Sequence, residues 1–235
     1  YIESLKSMNI ELTSPDINEG YTGFSVSADH RIRYGLSSIK GVGQNIVDRI
    51  VREREQNGPF RSMTDFCRRM QGADLNKKVL ENLIKAGAFD SLGGSRKDYL
   101  ETCNVILGAA SLWYKNQLSG QMDLFGLDLG DDTPNQDLDD QLPGTGEYPE
   151  AERLAMEKEV LGIYLSGHPL REYEEVWRKN VNRTAEEFRW QEDEERCEVT
   201  DGETAIIGGV IMRLQTKITK NSKIMAFATL EDLYG

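Results

Sequence analysis

Between residues 36 and 118 the apolar positions recur every three to four residues. Ile46, Val47, Ile50 and Val51 make one stripe with Arg49, Arg52 and Arg54 off it, which predicts an amphipathic helix from Gln44. Asn57-Gly58-Pro59 should stop that helix, with Gly at the C-terminal cap and Pro just beyond. Ser62-x-x-Asp65 then has the form of a capping box opening a short helix. Asn76 is placed to cap a third helix, whose stripe is Val79, Leu80, Leu83 and Ile84. Ser95-x-x-Asp98 opens a longer one with Tyr99, Cys103, Ile106, Ala110 and Trp113 on one face. Helices this short are not stable singly, so they are expected to pack as one domain over 36–118.

The flanks follow other rules. Residues 1–35 hold short mixed elements punctuated by Ser14-Pro15-Asp16 and Asn18-Glu19-Gly20, and are expected to be the end of a larger structure. Residues 119–147, rich in Asp, Gly, Pro and Gln, cannot bury enough apolar surface to offset their ordering entropy and are assigned as a flexible linker. Helical signals resume over 148–190 with Leu154, Val160, Leu161 and Tyr164, and the acidic run that follows completes a connecting region over 148–203. From Thr204 to Leu214 and from Lys223 to Leu230 the residues favour strands, joined by a polar turn over 216–222, so a small β segment is expected over 204–235. The fold class is therefore mainly α with a small β segment.

Charge sharpens this division. The 235 residues carry a net charge of -12, yet residues 31–85 hold twelve Lys/Arg against six Asp/Glu, and residues 121–203 hold eight against twenty-four. The first region suits contact with phosphate and the second avoids it. Three well-separated cysteines, Cys67, Cys103 and Cys197, fit a reducing cytoplasmic setting, with Cys67 and Cys103 as core fillers. No apolar run approaches the roughly 20 residues of a membrane span, so no membrane partner is expected.

Two motifs carry chemistry. Leu36-Ser-Ser-Ile-Lys-Gly-Val-Gly43, followed by the helix from Gln44, has the form of a helix-hairpin-helix, in which Gly41 and Gly43 allow a turn that other residues would strain. Its exposed backbone N–H groups suit an anion, and a DNA phosphate beside Lys40 is the natural ligand. The candidate DNA-binding residues are Lys40, Gly41, Val42, Gly43, Gln44 and Asn45, and contact without a base edge implies sequence-independent binding to duplex DNA. Val79 to Leu100, with Ala86-Gly87-Ala88 at its corner, has the layout of a second, degenerate hairpin that closes the domain.

The other motif is Gln121, Met122, Asp123, Leu124 and Phe125, an apolar pair set in a polar linker where it suits insertion into a partner's pocket. It resembles the sliding-clamp-binding motif of bacterial replication proteins, with Met122 where Leu is usual. His168, in Ser166-Gly-His-Pro-Leu170, has no neighbouring nucleophile or acid and reads as part of a turn. No metal site and no catalytic residue are expected.

Taken in order, Ile32 to Gly43, Gly58 to Phe66, Leu83 to Gly93, Gln121 to Phe125, Glu157 to Leu170 and Met225 to Asp232 resemble the family of alpha subunits of bacterial DNA polymerase III. The resemblance implies the end of the fingers region over 1–35, a tandem helix-hairpin-helix domain over 36–118 and a clamp-binding linker over 119–147. It further implies a helical and acidic connecting region over 148–203 and the first strands of an incomplete OB fold over 204–235.

It also implies that the parent is a DNA-directed DNA polymerase using Mg²⁺, with its catalytic aspartates upstream of residue 1, so that this chain alone needs no cofactor and adds no nucleotide. The implied partners are duplex DNA, the bacterial sliding clamp, or beta subunit, and other replisome subunits that bind further C-terminal parts. Two other classes compete: a structural adaptor without DNA contact, and part of a DNA-processing nuclease.

Overall fold

The computed structural model describes residues 5, 8–27, 30–72, 75–118, 141–190 and 197–234. The chain divides into two compact units, residues 1–166 and 167–235.

In the first unit the helices are α1 (Gln44–Asn57), α2 (Met63–Arg69), α3 (Lys77–Lys85), α4 (Arg96–Leu118) and α5 (Glu150–Leu161). Their ends follow local chemistry. Ser62 accepts the Asp65 N–H at 3.0 Å, Asn76 accepts the Val79 N–H at 3.1 Å, and Ser95 accepts the Asp98 N–H at 3.0 Å, each satisfying a donor that helix geometry leaves open. Gly58 ends α1 at φ 82°, a conformation that suits glycine.

The predicted stripes are buried: Ile46, Val47 and Ile50 on α1, Val79, Leu80, Leu83 and Ile84 on α3, and Tyr99, Cys103, Ile106 and Ala110 on α4. Phe60, Phe66, Phe89 and Tyr99 run through the core as successive neighbours with ring centroids 5.0, 5.0 and 6.0 Å apart. Edge-to-face and tilted contacts of this kind add about 0.5–1.5 kcal/mol per pair beyond area burial.

Arg54, expected off the α1 stripe, is instead buried. Its guanidinium donates to the Ile17 carbonyl at 2.8 Å and lies over the Tyr21 ring at 4.8 Å, so the charge is held by a carbonyl and a π face. Ile17 belongs to a segment that also carries the two-residue strands β1 (Leu12–Thr13), β2 (Ser25–Val26) and β3 (Ile32–Arg33), with β3 central, parallel to β1 and antiparallel to β2. Asn18 exchanges both side-chain hydrogen bonds with the Phe60 backbone, at 2.9 and 2.7 Å, which sews this segment to the start of α2.

Helix α5 belongs to the same compact unit, with Val160 and Leu161 in the core. Its Glu157 is fully buried and accepts from Arg96 at 3.1 Å and from the Leu165 and Ser166 N–H groups at 3.0 and 2.9 Å. Arg96 in turn grips Asp90 at 2.8 Å and donates to the Lys85 carbonyl at 3.2 Å.

The second unit contains α6 (Glu174–Asn180) and the antiparallel pair β4 (Val210–Ile218) and β5 (Ile224–Glu231), with an irregularity between Ile211 and Arg213. Trp177 of α6 donates through Nε1 to the Gly208 carbonyl at 2.7 Å. The strand predicted from Thr204 begins at Val210, because Ile206 exchanges bonds with Asn182 and Gly208 lies against Val181 and Trp177. Ile211, Leu214, Ile218, Ile224 and Phe227 are exposed. His168 accepts the Leu170 N–H through Nδ1 at 3.2 Å, so it serves a turn as expected. Among the described residues no helix is long and apolar enough to cross a membrane.

Candidate nucleic-acid interface

A 3-10 turn at Leu36–Ser38 leads through Ile39 into the hairpin and then α1. Leu36, Ile39 and Val42 are buried while Lys40, Gly41, Gly43, Gln44 and Asn45 are exposed. Val42 therefore anchors the hairpin through its side chain, and the five exposed residues form its outer rim. Asn45 and Gln44 are polar, and no acidic residue lies in the first turn of α1.

Gly41 has φ +75°, a conformation that favours glycine, and a Cβ there would press on the Asn82 amide nitrogen at 3.0 Å. Gly43 differs from expectation. Its φ is -76°, an ordinary value, and a Cβ would meet nothing within 4 Å. The turn does not need glycine at 43; what its glycine does is leave the N-terminus of α1 bare. No side chain caps that end. The first intrahelical bond runs from the Val47 N–H to the Gly43 carbonyl, which leaves the Gln44, Asn45 and Ile46 N–H groups without intrahelical acceptors. Aligned donors and the helix dipole together favour an anion at this point.

Two distant elements hold the hairpin. The Lys40 N–H donates to the Val160 carbonyl of α5 at 2.8 Å, and the buried Asn82 of α3 donates to the Lys40 carbonyl at 2.5 Å. Both polar groups of the Lys40 backbone are thus fixed while its side chain projects to solvent.

The second hairpin is built differently. Gly87 has φ +81°, and a Cβ there would strike the Arg96 guanidinium. The helix that follows, α4, is capped by Ser95, and its Arg96 N–H is already taken by the Glu147 carboxylate at 3.0 Å. Beside it, Asp98 accepts both the Thr145 N–H and hydroxyl, at 3.0 and 2.9 Å. Burial alone would push the Asp98 carboxyl up, but the Thr145 and Ser95 hydrogen bonds hold it below the usual carboxylate range. For Arg96 burial likewise opposes the charge, and Asp90 and Glu157 outweigh it and raise the guanidinium further. The second hairpin is therefore closed by the protein's own residues, and the first is open.

Sequence spacing does not reveal Asn82 or Val160 as supports of the hairpin. The candidate peptide Gln121, Met122, Asp123, Leu124 and Phe125 lies outside the described residues. Among the described residues no group of three or more His, Cys, Asp or Glu is arranged to hold a metal ion.

Residues 9–99 match the family model described as a helix-hairpin-helix motif. The chain is 35% identical over 238 residues to the DNA polymerase III subunit alpha of Saccharopolyspora erythraea, covering 99% of this chain and 19% of that protein. To the subunit alpha of Pseudomonas aeruginosa it is 34% identical over 249 residues, covering 100% of this chain and 20% of that one. To that of Borreliella burgdorferi it is 42% identical over 176 residues, 75% of this chain and 15% of the relative. The chain thus spans about a fifth of the length of the first two relatives.

Proposed function

The chain belongs with the alpha subunits of DNA polymerase III, and on that premise we propose that it grips duplex DNA without sequence preference and tethers its parent polymerase to the sliding clamp. The observation that carries the first half is the bare N-terminus of α1: three backbone donors without intrahelical acceptors, no capping side chain, no acid in the first turn, and exposed Lys40 beside them. A phosphate fits there. A base edge is not needed, so the contact positions the duplex and reads no sequence.

The second half rests on Gln121 to Phe125, whose Leu124 and Phe125 suit a pocket on a ring-shaped partner. Holding the enzyme on the clamp keeps the primer end at high effective concentration, which is the physical basis of processive synthesis in the parent. The parent's nucleotidyl transfer, with its Mg²⁺, is carried by residues outside this chain in this proposal.

Fluorescence anisotropy on the 235-residue chain with unrelated duplex sequences tests the DNA contact. Expected are similar affinities for all sequences, in the roughly 10⁻⁴–10⁻⁶ M range of non-specific binding, and a linear fall of log K with log salt. Gly43→Asp is the sharp variant. A Cβ at 43 meets open space and Asp is a good N-cap, so the fold should be retained or gain a few tenths of a kcal/mol while binding collapses. Lys40→Glu should remove about 0.9 from the salt slope, one phosphate's worth. A Gly43→Asp chain that binds as the parent sequence does refutes the interface, and absence of any salt slope favours the adaptor class.

A further inference from the structure

Positive charge near the hairpin extends beyond Lys40. Lys78 and Lys85 stand seven residues apart on α3, which brings them to one face of that helix. Lys85 Nζ donates to Glu159 Oε2 of α5 at 2.7 Å, and the Glu159 side chain is 48% exposed. Val160, the next residue, is the one whose carbonyl holds the Lys40 N–H. Asn82, on the same helix as the two lysines, holds the Lys40 carbonyl. Lys85 is therefore paired with Glu159, while the contacts that fix the hairpin bring the Lys40 backbone beside the same stretch of α5 and Lys78 lies on the Lys85 face of α3. The Lys85 hydrogen bond first, with burial opposing it, and then the charges of Lys85, Lys78 and Lys40 keep that carboxyl below its usual range. With the Lys85 side chain 20% and the Glu159 side chain 48% exposed, the pair is partly screened by solvent and contributes modestly to folding, so stability is a weak reason for placing it beside the hairpin.

We propose that Glu159 is a resident stand-in for a phosphate at the edge of the duplex-binding surface, holding Lys85 ready in the free protein and releasing it, with Lys78 alongside, to the DNA backbone on binding. This rests on the duplex-binding reading above. Duplex DNA carries one charge per about 1.7 Å of axis, so several phosphates can compete at once where the protein offers one carboxylate. The exchange leaves Glu159 without its lysine next to a polyanion, where it opposes binding. Glu159 thus sets how weakly this face holds DNA, which suits a protein that must move along it.

The test is anisotropy of the whole chain with a duplex of arbitrary sequence from about 50 to 200 mM salt, a range over which one phosphate contact changes affinity about 3.5-fold. Glu159→Gln should tighten binding most at the low-salt end and steepen the slope, the gain shrinking by up to about that factor toward the high-salt end. Lys85→Gln should weaken binding and flatten the slope by about 0.9. In a Lys85→Gln background the gain from Glu159→Gln should shrink markedly. An unchanged affinity in Glu159→Gln, with binding still abolished by Gly43→Asp, overturns this inference alone. An equal gain with and without Lys85 also overturns it, since the effect would then be bulk charge. A parent sequence that shows no salt-dependent duplex binding removes the hairpin reading and this inference with it.

Discussion

Replacing Glu157 with Ala should destabilise the first compact unit more than any surface change, and the structure supplies the magnitude. The residue is fully buried and serves three donors, Arg96 and the Leu165 and Ser166 N–H groups. Breaking a buried ion pair from one side costs about 3–5 kcal/mol, while the Leu165 and Ser166 N–H groups are only part-buried and can turn to water. Arg96 keeps Asp90 at 2.8 Å, which places the loss near the lower end, about 3 kcal/mol. For a unit spanning residues 1–166 this is a fall in melting temperature of roughly 6–12 °C. Calorimetry measures the shift, and hydrogen exchange should show the Leu165 and Ser166 amides losing protection. The paired change Arg96→Met with Glu157→Leu should recover part of the loss, because both buried charges are gone while the Leu165 and Ser166 N–H groups and the Lys85 carbonyl still lack their partners. A Glu157→Ala chain melting within about 2 °C of the parent refutes this account of the buried pair.

Two further outcomes are expected. Leu124→Ala with Phe125→Ala should abolish binding to a bacterial sliding clamp in calorimetry, each buried anchor contributing about 2 kcal/mol or more, and leave melting unchanged; retained affinity removes the tethering proposal. Asp98, held below its usual range when folded, contributes stability that is complete above its unfolded value near 3.9 and fades as pH falls through the lower folded value. The melting-temperature gap between the parent and Asp98→Asn should therefore be full at pH 7 and close in that acidic window, and a gap constant from pH 7 to 3 contradicts it.

The helical part was legible because its signals are local. Ser62, Asn76 and Ser95 cap the helices that their spacing announces, and the apolar stripes of α1, α3 and α4 face the core as their period requires. The rim of the candidate site was legible as residues. Its supports were not: Asn82 and Val160 reach Lys40 from 42 and about 120 residues away, and no periodicity encodes such a partner. Arg54 is a different case: four residues after Ile50 and seven after Val47, it lies on the apolar side of α1, and its charge rather than its place concealed the burial that Ile17 and Tyr21 complete. Glycine was the subtler case, since the letter is identical at 41 and 43 while only Gly41 needs a left-handed backbone. β4 begins later than its β-favouring residues do because Asn182 and Trp177 claim the backbone of Ile206 and Gly208 first.

The bond from Lys40 to Val160 also dates the hairpin within the life of the chain. A ribosome adding about 5–20 residues per second needs roughly 6–24 s to travel between those two positions. Throughout that interval the nascent hairpin has its glycines, its lysine and the helix that follows, but lacks the carbonyl that fixes it. The hairpin thus reaches its folded geometry only once α5 has been made, and the DNA contact proposed for it would mature no earlier.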